Sequence, residues 1–182
     1  LAALSAFTGI IPAIGTNRNA GKNNRKVYVF SKHLQWLGFK EMAQTAQRIG
    51  FDGIDLTVRP NGHVLPERVK EDLPKAVKAI KAAGLAANRM TTAITDPEDT
   101  LTSDILETAA KEGIKNYRLG WFNYNPTLSI KENIAEFNQK LKGLAKLNRE
   151  LGLTAAYQNH AGEMAGGPVW DMGLMLQGID PN

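Results

Sequence analysis

The sequence predicts an α/β fold with a parallel sheet, a partial (β/α)8 TIM barrel of about five βα units out of eight. The main observation is a repeat: four times a helical segment ends in glycine plus an apolar residue, and a β-rich run follows. The repeat length of roughly 30–40 residues fits one strand and its crossover helix. No Gly-x-Gly-x-x-Gly follows the first predicted strand, which counts against an open dinucleotide-binding sheet.

The strands are predicted from short runs rich in β-branched and aromatic residues, each bounded by turn residues. They cover residues 27–31, 51–58, 86–92, 116–120 and 154–158.

The helices are predicted from apolar residues spaced three or four apart. They cover residues 39–50, 66–83, 101–112, 130–151 and 170–176. In the first of them Phe39, Met42 and Ala46 share one face, and Gly50 ends it. Pro74 falls in the first turns of the second helix, where proline is better tolerated.

The domain organisation follows from the repeat. Residues 27–182 are predicted to be the N-terminal part of the barrel, truncated after its fifth strand, because a closed barrel usually takes about 250 residues. Residues 1–15 are apolar and uncharged, which indicates that 1–26 are a clipped export-signal remnant and linker. The alternative is a helix that packs on the domain. We accordingly expect a periplasmic or otherwise exported protein, with the cytoplasm as the alternative, and no membrane contact in the mature form, since the apolar run is shorter than the roughly 20 residues of a spanning helix.

Composition excludes some kinds of site and leaves others open. The chain has no cysteine, so neither a disulfide framework nor a thiolate metal site is available. The net charge of +4 comes from scattered lysines and arginines without a run of like charges. No nucleic-acid surface is therefore predicted.

Candidate functional residues lie after the carboxyl ends of the predicted strands, where such barrels build their active sites. All three histidines of the chain are at these positions, and imidazole can move protons, bind a metal or contact sugar hydroxyls. We predict His63 and His160 as catalytic. The predicted substrate-binding residues are Lys32, His33, Trp36, Arg59, Arg118 and Trp121.

The roles of the two arginines and the aromatic residues each have an alternative. Arg59 and Arg118 suit a carboxylate or phosphate, because a guanidinium group binds such anions in bidentate fashion. Equally, either arginine could form a salt bridge with Asp55. We assign Asp55 a structural role in the first instance. The rings of Trp36, Trp121 and Tyr124 suit an apolar wall for a sugar ring, and packing explains them equally well.

Several segments resemble the sugar phosphate isomerase/epimerase family of the xylose-isomerase-like barrel superfamily, which also includes endonuclease IV. The phrases are FDGIDL at 51–56, NGHVLPE at 61–67, NYRLGWFNYN at 116–125 and AYQNHAG at 156–162. The resemblance implies a divalent metal (Mn, Mg, Co or Zn), held by a Glu after strand five and by residues after strands six to eight. It also implies proton transfer between adjacent carbons of a small sugar substrate.

The chain departs from the family at the first metal ligand. The resemblance places Gln158 at the Glu position, and a neutral amide oxygen is a weaker ligand that cannot act as the base. Either the metal site is altered, with His160 compensating, or the protein is a carbohydrate lyase, dehydratase or non-catalytic sugar binder. An endonuclease-IV-like DNA repair enzyme is a remote alternative. We expect the chain to be inactive alone, and a homo-oligomer is left open.

Overall fold

The computed structural model describes residues 25–179, so the predicted signal remnant falls almost wholly outside the described part. The described residues form one sheet of five parallel strands, and the order of the strands in the sheet is their order in the chain. This arrangement confirms the predicted parallel α/β fold. The strands are β1 (Tyr28–Phe30), β2 (Gly53–Val58), β3 (Ala86–Thr92), β4 (Asn116–Arg118) and β5 (Thr154–Ala156).

A helix follows each strand, and the predicted helix positions are confirmed to within one residue except at the start of the second helix. The helices are α1 (Phe39–Ile49), α2 (Val69–Ala82), α3 (Thr100–Glu112), α4 (Ile130–Leu151) and α5 (Val169–Met175). The predicted start of α2 is instead a 3-10 turn, Pro66–Arg68. Gly50 ends α1 with φ 96°, a left-handed conformation that glycine adopts without steric cost. A capping box of Ser129 and Glu132 begins α4.

The outer face of the sheet, defined here as the side that carries the helices, is apolar. Alternate residues of β2, namely Ile54, Leu56 and Val58, are buried in the hydrophobic core. Tyr117 of β4 is buried on the same side, where its hydroxyl donates to Asn148 of α4 at 2.9 Å. Burial of these side chains holds the helices against the strands.

The inner face, defined as the opposite side, carries the other alternate residues and is largely polar. Partners in a parallel register point to the same side, and the register joins Phe30 to Asp55 and Thr57 to Thr91. It continues from Thr91 through Arg118 to Ala156. Polar groups therefore gather on the inner face, and those nearest the carboxyl ends of the strands form the candidate site.

Within residues 25–179, no helix combines the length and the apolar character that a membrane crossing requires.

Candidate functional site

A cavity of about 580 Å³ lies on the inner face at the carboxyl ends of the strands. It contains six of the residues selected from the sequence: Lys32, Arg59, Arg118, Trp121, Gln158 and His160. Four further residues complete its wall, namely Phe30, Asp55, Thr91 and Ala156. The residues that were selected by their position at strand ends thus meet in one cavity, although they are up to 128 positions apart in the chain.

Arg59 is positioned by a tight turn that follows β2. Its backbone N–H donates to the Val64 carbonyl at 3.1 Å, and its carbonyl accepts from the Gly62 N–H at 2.8 Å. A Cβ atom on Gly62 would lie 2.8 Å from the Arg59 carbonyl oxygen, so a larger residue would displace this turn. The Arg59 guanidinium lies over the Phe30 ring, 5.6 Å from its centroid, which directs the charge toward the cavity.

Arg118 links the ends of β4 and β5. Its Nη1 donates to the Gln158 side-chain oxygen at 3.1 Å, and its guanidinium lies 4.4 Å from the Trp121 ring centroid. The Trp121 indole N–H donates to the Gln158 carbonyl at 3.0 Å. The loop between Arg118 and Trp121 needs Gly120, because a Cβ there would lie 2.5 Å from the Ala93 carbonyl oxygen. These contacts hold the guanidinium and indole groups in one place.

His160 presents one ring nitrogen without a hydrogen bond in the described structure. Its Nδ1 lies 2.7 Å from the Ala161 carbonyl oxygen, and a carbonyl only accepts, so Nδ1 carries the proton. The ring packs edge-on against Trp121 with a centroid distance of 4.8 Å. When the imidazole is neutral, Nε2 is therefore the proton acceptor.

Asp55 was given a structural role from the sequence, and the structure adds it to the cavity wall. The expected salt bridge to Arg59 or Arg118 is absent, since no carboxylate of the described residues lies within 4.0 Å of either guanidinium. Thr91 Oγ1 donates to the carboxylate instead, at 3.0 and 3.2 Å. Burial raises the pKa of Asp55, against the opposing effects of Thr91 and of the charges on Arg89 and Arg118. Strand alternation, which puts Asp55 opposite the core residues Ile54 and Leu56, was the signal for this placement.

His63 is not among the residues that line the cavity. Its Nδ1 lies 3.1 Å from the hydroxyl oxygen of buried Ser31, and its backbone N–H donates to the Thr57 hydroxyl at 2.9 Å. Burial lowers the pKa of His63, although the backbone carbonyls of Leu34 and Leu37 act in the opposite direction. Its catalytic role stays a prediction, whereas the geometry favours a role in tying β1 to the loop after β2.

Three other candidates also lie apart from the cavity wall. Trp36 is 76% exposed. His33 packs edge-on against Phe30 with a centroid distance of 5.9 Å. Tyr124 donates its hydroxyl to Asp171 and packs against Phe137. Of the proposed aromatic wall, the structure places only Trp121 in the cavity.

The cavity residues do not fit the divalent metal that the resemblance implies. No group of three or more His, Asp or Glu side chains within residues 25–179 could hold a metal ion. The Gln158 side-chain oxygen already accepts from the Arg118 guanidinium, and Lys32 and Arg59 add two more positive charges.

Comparison with known proteins gives matches of structure alone. No family model and no curated protein matches the chain. The 3-keto-D-glucoside 4-epimerase from E. coli matches with a TM-score of 0.65 at 14% identity over 86% of this chain. A D-tagatose 3-epimerase-like protein matches with a TM-score of 0.62 at 11% identity over 86%. The chain has the fold of these epimerases.

A third match is a sugar phosphate isomerase/epimerase from Parabacteroides distasonis, with a TM-score of 0.56 and 11% identity over 91% of this chain. The fold implied by the sequence phrases is therefore confirmed. The chain spans 65% of the length of the E. coli epimerase, 61% of the tagatose epimerase-like protein and 67% of the Parabacteroides protein.

Proposed function

We propose that this chain supplies one side of the active site of a sugar isomerase or epimerase, which moves a proton on a sugar or sugar derivative. The observation that carries the proposal is the polar cavity at the carboxyl ends of the strands. Solved structures of sugar epimerases share the fold, and active sites of such barrels are built at this end of the sheet. The small-molecule substrate follows from the size of the cavity, about 580 Å³.

Within this site His160 is the group best placed to exchange a proton with a bound sugar. Its Nε2 accepts a proton in the neutral ring because Nδ1–H is directed to the Ala161 carbonyl. Asp55, whose pKa is raised by burial, is the carboxylate of the cavity wall. The Trp121 ring beside His160 offers an apolar surface for the sugar C–H groups.

The test is exchange of sugar C–H protons with solvent deuterium, followed by NMR. Ketoses, 3-keto-glucosides and sugar acids are incubated in D₂O with Mn²⁺, with the chain alone and with a longer protein that completes the barrel. We expect exchange in the complete barrel only, because β1 and β5 are open edges of the described sheet. In that protein His160→Gln should slow exchange about 10²–10⁴-fold, while Arg48→Gln on exposed α1 should not.

Two outcomes would contradict this assignment. No exchange with any substrate in the complete barrel would reject the isomerase or epimerase activity. Normal exchange in the His160→Gln variant would reject His160 as the proton carrier and leave the activity intact.

A second candidate is a lyase, dehydratase or non-catalytic sugar binder of the same fold. The contact between Arg118 and the Gln158 oxygen favours it, because a ligand oxygen occupied by a cation is poorly suited to a metal. The discriminating variants are Gln158→Glu and Gln158→Ala, with Mn²⁺ affinity measured by calorimetry. A sharp gain with Glu and no change with Ala would show that Gln158 is not a ligand. A loss of Mn²⁺ affinity in Gln158→Ala would instead support a metal-dependent reaction.

The proposed function has two further parts, a divalent metal and the location of the protein in the cell. We propose that a metal, if the reaction uses one, is held mainly by residues other than those described. We propose export from the cytoplasm on the basis of the apolar segment 1–15. Cell fractionation with an antibody to residues 27–182 should find the protein in the periplasm or medium, and a purely cytoplasmic signal would contradict export.

A further inference from the structure

The charges around the cavity are strongly unequal. Lys32, Arg59 and Arg118 line it, against the single carboxylate of Asp55. None of the three cations forms a salt bridge within the described part of the chain. The pairs that do form involve other residues on the helices and loops, such as Arg68 with Asp72 at 2.7 Å. All three cationic groups of the cavity wall are thus left without a salt-bridge partner among the described residues.

Asp55 offsets only part of this charge. Its carboxylate oxygens both accept from the Thr91 hydroxyl. Burial is the largest influence on its pKa and raises it, which weakens its hold on a negative charge. Arg59 and Arg118 therefore face a cavity whose one carboxylate, that of Asp55, already accepts a hydrogen bond from Thr91.

The two guanidinium groups are held in position before any ligand arrives. Arg59 lies over Phe30 and Arg118 lies over Trp121, and Arg118 uses Nη1 for the Gln158 oxygen. Burial and then the charge of Arg59 lower the pKa of Arg118, with Asp55 acting in the opposite direction. Like charges that are close enough to affect each other are stabilised by an anion placed between them.

Rigid, planar donors of this kind match the geometry of a carboxylate or phosphate. We propose that the cavity selects a sugar derivative that carries an anionic group, a carboxylate or a phosphate, and that Arg59 and Arg118 bind this group. The inference rests on the proposed function and adds the substrate class to it. A neutral hexose would leave both guanidinium groups without a charged partner.

The test titrates the chain separately with acetate, inorganic phosphate and D-glucose at constant ionic strength. The signals followed by NMR are the indole N–H of Trp121 and the side-chain N–H of Arg118. We expect saturable shifts with acetate or phosphate and none with glucose at the same concentrations. Stronger binding of acetate identifies a carboxylate, and stronger binding of phosphate identifies a phosphate.

The variants Arg59→Gln and Arg118→Gln should each weaken anion binding at least ten-fold. The matched control is Arg48→Gln, which removes the same charge from α1, where Arg48 contacts Thr45, and should leave binding unchanged. A retained spectrum of the remaining backbone amides verifies the fold of each variant.

The proposal is overturned if neither anion produces a saturable shift up to about 100 mM, far above the millimolar range of weak specific binding. It is also overturned if Arg48→Gln weakens binding as much as the two cavity variants, because the effect would then be one of net charge. Since the readout is binding, it stands apart from deuterium exchange. Anion binding by the chain together with no deuterium exchange in the complete barrel would retain the substrate class and reject the reaction.

Discussion

The outer and inner faces of the sheet are built from alternate residues of the same strands, yet they differ in kind. On β2, Leu56 is 1% exposed within the hydrophobic core, while its neighbour Asp55 borders an open cavity. On β4, Tyr117 is buried against Asn148 of α4, whereas Arg118 reaches Gln158 beyond β5. A difference of one position decides whether a side chain packs in the hydrophobic core or borders the cavity.

The contacts of the hydrophobic core and the groups that line the cavity thus lie on different faces of the sheet. Helices cover the outer face and exclude water, so apolar volume there determines the free energy of unfolding. On the inner face near the strand ends, Asp55 and Arg118 are only partly buried and Gln158 is exposed, so we expect these side chains to contribute less to stability. We therefore expect substitutions on the two faces to affect different measurements.

The largest effect on stability is expected from Leu56→Ala. Loss of a fully buried leucine should lower the free energy of unfolding by about 2–5 kcal/mol, measured by urea unfolding followed by circular dichroism. The matched inner-face variant is Gln158→Ala, since Gln158 is exposed, and its effect should stay within about 0.5 kcal/mol. Equal losses in the two variants would show that the inner face is also part of the core.

A smaller effect is expected from Tyr117→Phe. The change removes the hydroxyl that donates to Asn148 at 2.9 Å and leaves a buried amide oxygen unpaired, which costs about 1–3 kcal/mol. On the inner face, Trp121→Phe likewise removes a donor, but the Gln158 carbonyl it leaves is on an exposed residue that water can reach. If the Trp121 variant lost more stability than the Tyr117 variant, the contrast between the faces would fail.

The smallest effect is expected from Asp55→Asn, and it depends on pH. The pKa of Asp55 is raised in the folded protein, so the folded state holds its proton more tightly than the unfolded state. Stability from this group is present below the ordinary carboxyl pKa of about 3.9 and is lost as pH rises through the folded value. The Asn variant should therefore be more stable than the parent at pH 7, and this gain should shrink toward pH 3.

The measurement is thermal unfolding of both proteins across that pH range. As a control, Asp99→Asn on the exposed cap of α3 should not reproduce the pattern, because Asp99 is exposed and the Asn side-chain oxygen can still accept from the Leu101 N–H. A gain for Asp55→Asn that grows as pH falls would contradict the burial of a charged carboxylate.

Sequence patterns predicted the elements well because the signals are local. The helix 130–151 was predicted at its observed bounds from its apolar spacing and from Gly152 after its last residue. The structure adds the capping box of Ser129 and Glu132 at its start. The strand-end rule likewise found Arg59, Arg118 and Gln158 from position in the repeat. The salt bridge from Asp55 to an arginine was the wrong alternative, because a local pattern does not reveal that Thr91 of the next strand is closer to its carboxylate.

The sequence by itself determined the repeat, the parallel sheet, and which residues stand at the strand ends, because these depend on spacing and capping along the chain. Only the tertiary structure decided which strand-end residues meet. His160 lies with Arg118 and Trp121 in the cavity, whereas His63 contacts Ser31 and Thr57. The physical reason is that side-chain direction and loop path depend on packing between units, which no single repeat contains.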